Sequence, residues 1–133
     1  NVLVSNGTIA EEPWRALLPL IDAVNIDLKG FTPEWYRTLG GDLETVKRSI
    51  TMAASVCHVE VTTLIVPGEN DSAEHMRALS TWLSALDPGI PLHVSRFFPR
   101  HRMTDRASTS VEAVYHLADI ARERLHFVYT GNC

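Results

Sequence analysis

Cysteine is scarce in this sequence: Cys57 and Cys133 are the only two in 133 residues. Two thiols are too few for a disulfide scaffold or for a four-cysteine zinc or iron-sulfur site, so any metal cluster needs ligands from elsewhere. Long hydrophobic runs are missing as well. The longest purely apolar stretches reach about five residues, against the roughly 20 that a bilayer requires, so no membrane partner is expected. No basic and apolar leader opens the chain, and a cytoplasmic location is expected. Positive charge is not in excess: 12 Lys and Arg against 16 Asp and Glu leave a net charge of -4. That balance argues against broad nucleic-acid binding through phosphates. The glycines never form a GxGxxG or Walker loop, and no nucleophile elbow surrounds any serine. What remains is 45% hydrophobic and 21% charged, the composition of a single globular domain. Asn1 is followed at once by apolar residues, and the chain is expected to begin inside a larger protein.

Five β-rich runs punctuate the sequence: Val2–Val4, Ala23–Leu28, His58–Val66, Leu92–Phe98 and His126–Tyr129. Helical periodicity fills the gaps. One helix is expected from Pro13 after the acidic Glu11 and Glu12, and a second from Pro33 behind the N-cap Thr32. Gly40–Asp42 interrupts that second helix, and Leu43, Val46 and Ile50 resume its apolar face. A third follows Asp71–Glu74 with Met76, Leu79 and Leu83 inward, and a fourth starts at Ser110 with Val111, Val114 and Leu117 inward. Strict alternation of this kind calls for a parallel sheet with right-handed crossovers. Spacing alone leaves two α/β architectures open, a flavodoxin-like sheet and an incomplete (β/α) barrel.

In both, chemistry belongs at the C-terminal ends of the strands, and here those ends are polar. Period-two geometry puts Asn25, Asp27 and Lys29 on one face of the second strand, opposite Val24, Ile26 and Leu28. Glu60 and Thr62 likewise share one face of the third. A sheet covered by helices on both sides prefers apolar residues on each. The polar stripe therefore favours a partial (β/α) TIM-type barrel of about five parallel strands with crossover helices. Paired carboxylate and ammonium groups there are either a structural ion pair or a binding site, and several polar strand ends together favour a site. Lys29 also suits a Schiff base, as in barrel aldolases, although Asp27 opposes its neutral form. His75 and His116 are expected to be solvated helix residues, His58 and His93 to serve core or rim structure, and Cys57 to be a buried small hydrophobe. Trp14, Trp35, Tyr36 and Trp82 are expected to pack on helix faces.

Several motifs in order carry a resemblance. Val4-Ser5-Asn6-Gly7, then Asn25-Ile26-Asp27-Leu28-Lys29-Gly30, then Val66-Pro67-Gly68-Glu69-Asn70-Asp71 resemble the radical SAM superfamily, and within it the relatives of pyruvate formate-lyase activating enzyme. His93–Pro99 with Met103-Thr104-Asp105, and the ending Val128–Asn132, are similar to the AmmeMemoRadiSam-system enzymes. The resemblance implies a partial (β/α) barrel, with S-adenosylmethionine and a [4Fe-4S] cluster as cofactors. The CxxxCxxC loop that would hold the cluster is absent from these residues. Residues 1–133 thus resemble the C-terminal portion of such an enzyme, inactive alone.

By the same resemblance, Ser5 and Asn6 lie where a strand turns beside the cofactor, and Asp27 and Lys29 line the S-adenosylmethionine site. Thr62 falls where the activating enzyme has a cofactor-contacting arginine, a role that Arg96 on the next strand could take over, and His101 matches a histidine that reaches the adenine. No catalytic residue and no metal ligand is assigned. The implied partners are an electron donor and an unidentified substrate, a protein or peptide radical acceptor among the candidates. A cluster-free binding or scaffold module is the alternative. The first strand, as a sheet edge, is expected either to pair edge to edge with a second copy or to leave the chain marginal in solubility and stability.

Overall fold

The computed structural model describes all of residues 1–133. Five parallel strands form one sheet: β1 (Val2–Ser5), β2 (Ala23–Asp27), β3 (His58–Ile65), β4 (Leu92–Arg96) and β5 (Val128–Gly131). Their spatial order is their order in sequence. Such an order with right-handed crossovers lays every helix on the same side of the sheet, whereas a doubly wound sheet reverses at its centre. The architecture is accordingly the expected α/β partial barrel, covered on one face and bare on the other.

The helices are α1 (Glu11–Leu17, continued by one 3-10 turn), α2 (Pro33–Thr38), α3 (Leu43–Ala54), α4 (Ala73–Leu86) and α5 (Val111–Arg122). Their starts are written locally. The side chains of Thr32, Asp42, Ser72 and Ser110 each accept a hydrogen bond from the amide three residues on, satisfying a donor that the first helical turn leaves unpaired. The apolar stripes of α3, α4 and α5 close over Val24, Ile26, Val59, Val61, Leu92 and Val94 in one core cluster of 27 buried residues. Trp14 of α1 is sealed in the same core, where its indole donates to the carbonyl of Ser49 at 3.0 Å.

Gly7 turns the chain out of β1 with φ +72°, and a Cβ there would sit 3.0 Å from Ile26 and 3.1 Å from Val46. Glycine is demanded twice over, by the left-handed backbone and by the packing of α3 on β2. No helix is long and apolar enough to cross a membrane.

Several sequence expectations shift, two of them with consequences for the fold. The last strand runs Val128–Gly131 and not His126–Tyr129, because Leu92 donates its amide to Phe127 and sets the register from outside the segment. His75 is not a solvated helix residue: only 9% exposed, it accepts the Phe31 amide at 2.7 Å through Nε2.

Candidate functional site

On the bare face, strand register stacks polar side chains into rows. Asn25 of β2 lies beside Glu60 of β3, and Asp27 lies beside Thr62, His93 and Tyr129 in succession. Thr62 donates to the Asn25 amide oxygen at 2.9 Å. Glu60 receives two histidines, His93 at 2.7 Å and His58 at 3.3 Å, and the His93 contact, reinforced by that from His58, holds its carboxyl below the ordinary glutamate range. His93 stacks on Tyr129 with centroids 5.4 Å apart. The two histidines thus serve this polar face and not the core.

At the C-terminal end of the same face is a cleft of about 260 Å³ lined by Asp27, Lys29, Thr62, Leu64, Ser95 and Asn132. Lys29 Nζ is 2.8 Å from Asp27 Oδ2 in a half-exposed ion pair. A neutral, nucleophilic Lys29 would have to give up that pair, which works against Schiff-base chemistry.

The main chain of Lys29 is clamped from several elements. Its amide donates to the Tyr36 hydroxyl at 3.0 Å, and its carbonyl accepts from Trp35 Nε1 at 2.8 Å and from Asn70 Nδ2 at 3.1 Å. Burial pushes the Tyr36 phenol up to about 12, so it stays a neutral OH. Asn70 is 1% exposed and also bonds the Val66 amide at 2.7 Å and the Leu64 carbonyl at 2.9 Å. One side chain therefore staples the ends of β2 and β3 together. The next residue, Gly30, must be small, since a Cβ would lie 2.5 Å from the Trp35 ring.

A second cleft of about 250 Å³ adjoins the first and shares Lys29 and Leu64 with it. Its other walls are apolar: Trp35, Leu39, Val66, Phe97 and Met103.

Of the residues singled out in the sequence, the structure gathers Asp27, Lys29 and Thr62 in one cleft and places the others outside it. Ser5 pairs in register with Ile26 on the helix-covered face, and its hydroxyl accepts from Gly7 in the turn. Asn6 is exposed and caps the same turn through the Thr8 amide. Arg96 follows Leu92 and Val94 at steps of two and so leaves β4 on the helix side. There its Nε donates to the Thr109 carbonyl at 2.6 Å and its guanidinium covers Phe98. His101 is exposed on the β4–α5 loop. Missed in the sequence were Ser95 and Asn132, which line the cleft, and Asn70, which shapes it. Ser95 was recoverable, since it shares its strand parity with His93.

Among solved structures, a domain of pyruvate-formate lyase-activating enzyme from Bacteroides vulgatus superposes with a TM-score of 0.80 over 98% of this chain and 80% of that one, at 18% identity. A radical SAM methyltransferase from Sphaerobacter thermophilus superposes with a TM-score of 0.70 over 96% of this chain and 39% of that one, at 16% identity. The chain has the fold that these two structures share. By sequence, an uncharacterized protein of Methanocaldococcus jannaschii is 36% identical over 135 residues, a span that takes in 99% of this chain and 40% of that protein. The chain therefore spans less than half the length of this relative. No protein-family model matches it. Within this fold, the cleft at Asp27 sits at the strand ends, where barrel enzymes place their chemistry.

Proposed function

We propose that residues 1–133 form the C-terminal portion of a radical SAM enzyme related to pyruvate formate-lyase activating enzyme, and that the Asp27 cleft holds S-adenosylmethionine. The observation that carries this reading is the donor set on the bare face. A carboxylate, an ammonium, two hydroxyls and an amide line one cleft with an apolar cleft beside it. A sulfonium with an amino-acid tail and a flat base needs both kinds of wall. The cysteines do not fit the cluster, since Cys57 precedes β3 at one end of the sheet and Cys133 follows β5 at the other. Its ligands are assigned to residues outside this span. When bound, the two cofactors together supply an organic radical that abstracts a substrate hydrogen.

The residues of this chain bind and position. Lys29 pairs with the cofactor carboxylate, and Asp27 and Thr62 accept from its ammonium group. The clamp of Tyr36, Trp35 and Asn70 on the Lys29 main chain keeps that geometry without reorganisation on binding. Trp35, Val66 and Phe97 exclude water from the neighbouring cleft. The substrate, a protein or peptide radical acceptor among the candidates, meets the cofactor on the bare face, and an electron donor acts from outside.

The test uses the full-length protein, reconstituted anaerobically with iron and sulfide and given a reductant. The expected result is 5′-deoxyadenosine formed from S-adenosylmethionine, lost in Asp27→Asn and Lys29→Gln. The half-exposed pair contributes no more than about 1 kcal/mol, so both variants should melt near the parent temperature. No nucleoside product from the parent protein, or undiminished product from both variants, overturns the proposal.

A further inference from the structure

The loop between β4 and α5 gathers positive charge in a chain that is acidic overall. Arg96, Arg100, Arg102 and Arg106 lie within it or at its start, out of 12 basic side chains in a chain of net charge -4. Two of the four are consumed internally. Arg96 is held by the Thr109 carbonyl and Phe98. Arg106 binds Glu69 at 2.8 Å, the Pro67 carbonyl at 3.0 Å and Asp105 at 3.4 Å. Arg100 and Arg102 are exposed and line one open hollow of about 370 Å³ together with His101, Met103, Asp105 and Arg106. Neither guanidinium meets a carboxylate of the chain. The Asp105 carboxylate in that hollow is engaged by Arg106.

A turn brings the two unpaired guanidiniums to one hollow. Met103 donates its amide to Arg100 at 3.1 Å, and His101 between them takes φ +53°. A left-handed residue that is not glycine is uncommon and persists only where its surroundings over-determine it. Here Met103 packs on the Trp35, Val66 and Phe97 cluster, and Arg106 bolts the other limb to Glu69 and Pro67. Met103 is common to this hollow and the apolar cleft, and Lys29 and Leu64 are common to the apolar and polar clefts. The three make one trough: polar at Asp27, apolar at Trp35 and Phe97, cationic at the loop.

We infer that Arg100 and Arg102 bind an oxyanion, a phosphate or a carboxylate, carried by the substrate at the outer end of this trough. Planar guanidiniums match such groups bidentately. Two of them lining one hollow repel each other until an anion enters. That the anion belongs to the substrate rests on the function proposed above; the anion site itself does not.

Calorimetric titration of the purified protein with inorganic pyrophosphate, and separately with a hexaglutamate peptide, tests the site. We expect at least one probe to bind, more weakly as ionic strength rises. The double variant Arg100→Gln, Arg102→Gln should raise its dissociation constant about tenfold or more, with an unchanged melting temperature. Arg77→Gln, an exposed arginine on α4, should bind as the parent does. Binding of pyrophosphate assigns a phosphate, and binding of the peptide alone assigns a carboxylate. No binding of either probe, or equal binding by the double variant, overturns the inference. Failure of the parent protein to cleave S-adenosylmethionine would defeat the functional proposal and leave this titration standing.

Discussion

Replacing Asn70 with alanine should be among the most damaging single changes in this chain. The side chain makes three hydrogen bonds while 1% exposed. The Lys29 carbonyl would keep Trp35 as a donor, but the Val66 amide has no other partner and would be stranded. An orphaned buried amide costs about 1–3 kcal/mol, and each of the other two lost bonds roughly 0.5–1.5 kcal/mol. The sum is on the order of 2–6 kcal/mol, a large share of a typical domain's stability of about 5–15 kcal/mol. For a chain of this size that lowers the melting temperature by roughly 7–21 °C. Urea unfolding should show a lower midpoint at unchanged slope, with the Val66 amide losing hydrogen-exchange protection. Asn70→Asp refines the test. Its carboxylate still accepts from Val66 but turns a second acceptor toward two carbonyls, so its deficit should shrink on acidification, when the protonated acid can donate. Stability of Asn70→Ala within about 0.5 kcal/mol of the parent would refute the stapling role.

Other outcomes follow from the same structure. Burial pushes His75 below its ordinary value of 6.5, so the stability tied to its bond with Phe31 is complete above that pH and lost as pH falls through the lower folded value. Glu60, depressed by His93 and His58, loses its contribution in the same direction at lower pH. Urea midpoints should drop between about pH 7 and pH 5, less so in His75→Gln, and a flat profile would contradict the assignment. Gly30→Ala places a methyl 2.5 Å from the Trp35 ring, an overpacking worth about 1–3 kcal/mol; a variant as stable as the parent would show that Trp35 is free to move. We also propose that β1, an edge strand with Val2 and Val4 77% and 74% exposed, pairs with a second copy of the chain. Sedimentation should then report concentration-dependent dimers that Val4→Lys abolishes, and a monomeric parent at every concentration would dismiss the idea.

Local chemistry determined most of the architecture from the sequence alone. Residues at steps of two divide β2 and β3 into an apolar and a polar face, and Thr32, Asp42, Ser72 and Ser110 start their helices through bonds spanning three residues. Each rule acts within one turn or one pleat, so reading the chain in order is enough. The same parity already separates Arg96 from Asp27, because Arg96 follows Leu92 and Val94 on the helix-covered side. The tertiary structure alone decided which distant residues meet. Phe31 finds His75 44 positions away, and the Lys29 carbonyl finds Asn70 41 positions away. The last strand starts at Val128 because Leu92 on the neighbouring strand sets its register. The turn at His101 is held by Met103 against Trp35 and Phe97 and by Arg106 against Glu69. Such contacts depend on how far each crossover displaces one strand against the next. That displacement is set by the packing of the common core, in which helices and strands from the whole length of the chain share one set of side chains.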